Sequence, residues 1–133
     1  MLVAATALAG CNSDSKDEPD SEKAIRAWSK AVNAEHYREA ASFFTEGAIV
    51  EQGREFRLRD RRAAIFFNSS LPCKADVTDV DDEGDTVLAA FRLRRGPGGG
   101  CSGSARVRFC FKRGKFSEWR QLPEREAAPG DVL

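Results

Sequence analysis

Ala105–Leu122 reads ARVRFCFKRGKFSEWRQL. Val107, Phe109 and Phe111 alternate with Arg106, Arg108 and Cys110, the period-two pattern of a strand with one buried face. Arg113-Gly114 marks a turn, and Lys115–Leu122 predicts a closing strand. Working outward, Gly96-Pro97-Gly98-Gly99-Gly100 reads as a loop. Before it, Thr86–Arg95 is a strand whose later half sets Phe91 and Leu93 against Arg92 and Arg94. Asp82-Glu83-Gly84-Asp85 is a turn, and Ala75 and Val77 begin a further strand in which Val80 marks a slip or bulge.

The first half reads differently. Asp20 or Ser21 is an N-cap, and Ala24, Ile25, Trp28, Ala31 and Val32 recur at helical spacing. Asn33–His36 breaks that helix, and Tyr37, Ala40, Ala41 and Phe44 define a second, ended by Glu46-Gly47. Ala48–Glu51 is a short strand, Gly53 a turn, and Glu55–Leu58 pairs back. Asp60 caps a third helix, Arg61–Ser69, with Ala64, Ile65, Phe67 and Phe66 as its candidate buried face and Leu71-Pro72 as its stop. Helices followed by a largely antiparallel sheet make the class α+β.

Composition bounds the rest. The chain has 133 residues, 41% hydrophobic, with nine Phe and two Trp. That is enough for one domain with its own core. Lys plus Arg and Asp plus Glu are 21 each, so the net charge is zero and a dedicated nucleic-acid binder is not expected. No stretch reaches the roughly 18 apolar residues of a spanning helix.

The ordered set of elements resembles the nuclear transport factor 2-like superfamily, in particular its small bacterial members. The resemblance runs from about Ser21 to Pro123. It rests on Trp28 and Val32, Phe43-Phe44 before Glu46-Gly47-Ala48, the helix ending in Leu71-Pro72, and Gly114-Lys115-Phe116 with Trp119-Arg120-Gln121-Leu122-Pro123. It implies three N-terminal helices packed in a strongly bent, mostly antiparallel sheet: a cone, often with a pocket inside. Trp28, Ile49, Phe67, Phe91, Val107, Phe109 and Phe111 are then candidate pocket walls or plain core. The resemblance also implies dimers through the sheet, which a row of arginines would oppose.

Leu8-Ala9-Gly10-Cys11, after an apolar run, resembles a bacterial lipobox, in which Cys11 becomes the lipidated first residue. No basic residue precedes it, so the true start is expected upstream. The expected organisation is a signal segment over 1–10, a polar tether over 11–20, the domain over 21–123 and a loose tail over 124–133. Such a protein sits outside the cytoplasmic membrane, anchored through Cys11. In that oxidising compartment three thiols remain, predicting one disulfide and one spare. Ser104–Cys110 as a strand covers about 20 Å, too far for Cys101–Cys110. Cys73–Cys101 is the expected pair, pinning the Gly-rich loop, with Cys110 left as an inert thiol. The cysteine spacing does not resemble a zinc site; no metal and no cofactor are expected.

The superfamily includes ketosteroid isomerases and polyketide cyclases. Isomerase chemistry needs a carboxylate base with a Tyr and a protonated Asp as donors. By element position those roles fall on Gln52, Trp28 and Val107, none of which can perform them. A slip of one would offer Glu51, whose alternation puts it on the face away from Val50. Asp76, Asp79, Asp81, Asp82, Glu83 and Asp85 read as a solvated turn, His36 lacks a triad partner, and Asn68-Ser69-Ser70 spells an incidental glycosylation acceptor.

Arg92, Arg94, Arg106 and Arg108 are expected on one sheet face, balanced by nearby acids or meeting anionic lipid or wall polymer. Arg54, Arg57, Arg59, Arg61 and Arg62 form a second cluster. Three functions remain open: a non-catalytic domain binding a small apolar ligand or a partner protein, an enzyme of this fold with unplaced acid and base residues, and a wall-associated accessory using the basic face.

Overall fold

The computed structural model describes Cys11, residues 18–95 and residues 101–123. The signal segment 1–10, most of the tether, the Gly96–Gly100 loop and the tail 124–133 lie outside the described residues. Helix α1 (Glu18–Asn33) and helix α2 (Tyr37–Ala41) are followed by strands β1 (Phe44–Gln52) and β2 (Arg54–Leu58). Helix α3 (Arg61–Ser69) comes next, and then β3 (Lys74–Asp82), β4 (Val87–Arg94), β5 (Ser104–Lys112) and β6 (Lys115–Gln121). The fold is α+β, as the resemblance implies. Only two helices precede the sheet, because α3 follows the β1–β2 hairpin. Two boundaries also move. Glu18–Asp20 belongs to α1 and not to a tether, and Phe44 opens β1, where its ring is buried under the sheet, instead of closing the second helix.

The six strands run in the order β2-β1-β6-β5-β4-β3 in one sheet. Only β1 and β6 are parallel; the other pairings are antiparallel. The register sets Val50 beside Trp119, Trp119 beside Phe109, and Phe109 beside Val87. These side chains share the inner face. The β5–β6 turn is tight because Arg113 (φ 53°) and Gly114 (φ 80°) both take left-handed backbone, as a two-residue hairpin loop of matching twist requires. The slip expected near Val80 is a bulge between Val77 and Asp79.

The helices fill the inner face. Ser21, Ile25, Trp28 and Val32 form a buried stripe along α1. The Trp28 ring meets Phe44, Phe91, Phe109, Phe116 and Trp119 edge-on, with centroids 6.0–6.4 Å apart. One side chain thus ties α1 to four strands. Helix α1 ends by placing Glu35 at φ 64°, with His36 N–H donating to the Ala31 carbonyl and Glu35 N–H to that of Val32. This is a Schellman closure without its usual glycine. Asp60 caps α3, its carboxylate accepting from Ala63 N–H at 2.9 Å. On α3, Ala64 and Phe67 are buried, Ile65 is half-buried and Phe66 is exposed.

Candidate functional site

The residues at the isomerase-role positions, Trp28, Gln52 and Val107, stand around one cavity of about 90 Å³ between α1 and the sheet. Helix α1 contributes Trp28, Ser29, Val32 and Asn33; the strands contribute Phe91, Val107, Trp119 and Gln121; Leu71-Pro72-Cys73 forms the rim. The Cys73–Cys101 disulfide, with Cα atoms 5.8 Å apart, fixes that rim to the chain entering β5.

Most polar groups in the wall are committed. Ser29 Oγ donates to the Ala75 carbonyl at 2.6 Å. Asn33 clasps Ala75 from both sides, its Nδ2 donating to the carbonyl and its Oδ1 accepting from the amide, both at 2.9 Å. Gln52 Nε2 donates to Gln121 Oε1 at 3.2 Å. Trp28 Nε1 donates at 2.8 Å to Asn68 Oδ1, and Asn68 Nδ2 donates to the Ala64 carbonyl. Trp119 is the exception: its buried indole N–H meets no acceptor among the described residues. Among the described residues the wall contains no carboxylate, imidazole, amine, guanidinium or phenol.

Of the seven candidate pocket residues, Trp28, Phe91 and Val107 line this cavity. Phe67 and Phe109 are core under it. Ile49 is on the other side of the sheet, since Ala48 and Val50 take the inward positions of β1. It borders a separate polar groove of about 800 Å³ with Phe111, Glu46, Lys112 and Cys11. A third, open hollow lies between α1 and β3 at Lys30, Asp76 and Arg94. Trp119 and Gln121 were missed as wall residues, although they share β6 parity and so face inward together. Asn68 is fully buried, so it serves Trp28 and is closed to glycosylation.

The cysteines require a correction. Cys110 is not a spare thiol; it is bonded to Cys11, with Cα atoms 5.5 Å apart. All four cysteines are paired. Cys110 shares strand parity with Arg106 and Arg108, yet it is buried and bonded to Cys11. A sulfur in a disulfide cannot at the same time form the thioether of a lipid anchor.

The outer sheet face is largely charge-paired. Arg94 bonds Asp76 at 2.6 Å and Arg108 bonds Glu83 at 2.9 Å. The Arg94 guanidinium lowers the Asp76 carboxyl pKa against the opposing effect of burial, and Arg108 does the same for Glu83. Arg120 gathers Glu51, Glu55 and Glu118 at 2.6–2.8 Å. Burial works against its charge, and the three carboxylates outweigh burial and raise its pKa. Glu51 is therefore held on the outer face, away from the cavity. His36 is exposed beside Glu39, and no group of acids, His and Cys among the described residues is arranged to hold a metal.

The fold is that of nuclear transport factor 2-like proteins. A candidate ketosteroid isomerase from Kribbella flavida superposes with a TM-score of 0.68 at 18% identity, covering 85% of this chain and 84% of its own. A nuclear transport factor 2-like protein of unknown function from Cytophaga hutchinsonii gives 0.64 at 13%, covering 77% and 88%. A candidate polyketide cyclase from Sinorhizobium meliloti gives 0.59 at 18%, covering 82% and 99%. No family model and no curated protein matches the chain in sequence.

Proposed function

We propose that this is an extracytoplasmic domain that holds a small apolar ligand in the cavity between α1 and the sheet without transforming it. The observation that carries the reading is the cavity wall: mainly aliphatic and aromatic surface and, among the described residues, no side chain that exchanges a proton near neutrality and one buried indole donor without an acceptor. An unsatisfied buried donor costs about 1–3 kcal/mol. A ligand carrying an acceptor recovers that energy, and one without an acceptor does not. At about 90 Å³ the cavity suits a ring-sized moiety, smaller than the roughly 300–1,000 Å³ sites of drug-sized ligands.

The test is titration of the full chain with cyclohexanone and with cyclohexane, followed by indole fluorescence. Cyclohexanone is expected to bind at least fivefold more tightly, and Trp119→Phe to abolish the difference. Val107→Trp, which fills the cavity, abolishes both. Absence of saturable binding by either probe would overturn the reading.

A second reading, an enzyme of the same fold, draws on the neighbours described as candidate isomerase and cyclase proteins. It requires a carboxylate whose neutralisation stops turnover while leaving the fold intact. The third reading, a wall accessory using Arg92, Arg94, Arg106 and Arg108, is weakened because Arg94 and Arg108 are already ion-paired.

The location is part of the proposal. Two disulfides support an oxidising compartment. Lipid on Cys11 and the Cys11–Cys110 bond are alternative fates of one sulfur. A lipidated chain is expected to show by intact mass one remaining disulfide and one alkylatable thiol, at Cys110. A membrane-fraction chain with two disulfides and no lipid would refute the anchor.

A further inference from the structure

Arg54, Arg57, Arg59, Arg61 and Arg62 fall within nine consecutive residues spanning β2 and the start of α3, and all five are exposed. The two acids among them are committed elsewhere, Glu55 to Arg120 and Asp60 to the α3 cap. Arg57 donates to the Gly47 carbonyl. Among the described residues Arg54, Arg59, Arg61 and Arg62 form no ion pair. Arg61 and Arg62 also stand in the first turn of α3, which contains no acid and where the helix dipole disfavours cations.

The same two elements, β2 and α3, carry the two large apolar side chains that are exposed among the described residues. Phe66 is 72% exposed and Phe56 42%. Arg62 and Phe66 are four apart and so share one stripe of α3. Phe56, on the adjoining strand, has its ring 6.5 Å from that of Phe67, the next residue after Phe66. Solvated cations and exposed phenyl groups are therefore concentrated at one corner. Neither Phe56 nor Phe66 lines any of the three cavities. Two exposed phenyl groups flanked by solvated cations match a surface that is apolar beneath and anionic at its headgroups.

We propose that the β2–α3 corner seats the protein on an anionic phospholipid surface. Phe66 and Phe56 enter the headgroup layer while Arg54, Arg59, Arg61 and Arg62 meet the phosphates, their stems lying along the apolar boundary. This depends neither on the cavity reading nor on a lipid at Cys11.

The test is co-sedimentation of the full, disulfide-bonded, unlipidated chain with phosphatidylcholine vesicles containing 30% phosphatidylglycerol and with pure phosphatidylcholine. Binding is expected to the first and not the second, and to weaken as salt is raised. Arg61→Ala and Arg62→Ala each lower it about fivefold, the effect of one basic residue near such a surface. Phe66→Ser lowers binding at every salt concentration; Phe66 is exposed, so the variant is expected to fold, which circular dichroism checks. Arg92→Ala and Arg106→Ala, on the sheet face, leave binding unchanged. Equal binding to both vesicles, no binding to either, or loss with the sheet-face variants alone overturns the proposal. So does capture of polyglutamate without vesicle binding, which would assign the corner to an acidic polypeptide.

Discussion

Asn68 shows how much one buried amide can organise. Its Oδ1 accepts a hydrogen bond from the Trp28 indole N–H and its Nδ2 donates to the Ala64 carbonyl of its own helix, so α3 positions the ring that α1 presents to four strands. Asn68→Ala would leave Trp28 Nε1 unsatisfied and open a void. We expect a loss of about 1–3 kcal/mol in chemical denaturation. Asn68→Asp, which retains an acceptor for Trp28, tests the same contact separately from the void. Trp119 is the opposite case: Trp119→Phe removes a donor that has no acceptor among the described residues, which offsets the cost of the void left by the smaller ring, so we expect a smaller loss than for Asn68→Ala.

At the scale of elements, the pairs across strands and turns carry a pH signature. Asp76 and Glu83 have pKa values lowered by Arg94 and Arg108. Their folded-state pKa lies below the unfolded value, so their contribution is fully present above about pH 4 and is lost as pH falls through the folded values. Wild-type stability is expected to fall more steeply below about pH 4 than that of Asp76→Asn/Glu83→Gln, with the two profiles parallel at neutral pH. Parallel profiles in acid would show that the pairs are too well solvated to matter.

The strands and α3 were legible because alternation and a capping Asp are local signals. The end of the second helix was not, because Phe44 fits a helical face as well as a strand and only its neighbours under the sheet decide. Trp28, Gln52 and Val107 could be brought together by element order. Trp119's unsatisfied N–H could not, since the absence of an acceptor is a property of the packed interior.

For the molecule as a whole, the two disulfides join residues 99 and 28 apart in sequence. Chain-entropy reasoning gives a stabilisation of about 3–5 kcal/mol for each. Reduction is expected to lower the thermal midpoint, with Cys11→Ser/Cys110→Ser and Cys73→Ser/Cys101→Ser each reproducing part of the shift. The pairing of Cys110 is not legible in the sequence, because the lipobox resemblance commits Cys11 to lipid and leaves Cys110 the odd one of three thiols.

The Cys11–Cys110 bond has a mechanical corollary. Tension applied upstream of Cys11 and resisted at the C-terminal end has a covalent short cut into β5, and from there through the β5–β6 hairpin to the exit of the chain. The helices and β1 to β4 lie on the slack side of that route, while the β6 wall of the cavity lies on it. A domain held in this way can be tugged from one end while α1 bears no load; reducing a single bond would place α1 in series with the pull.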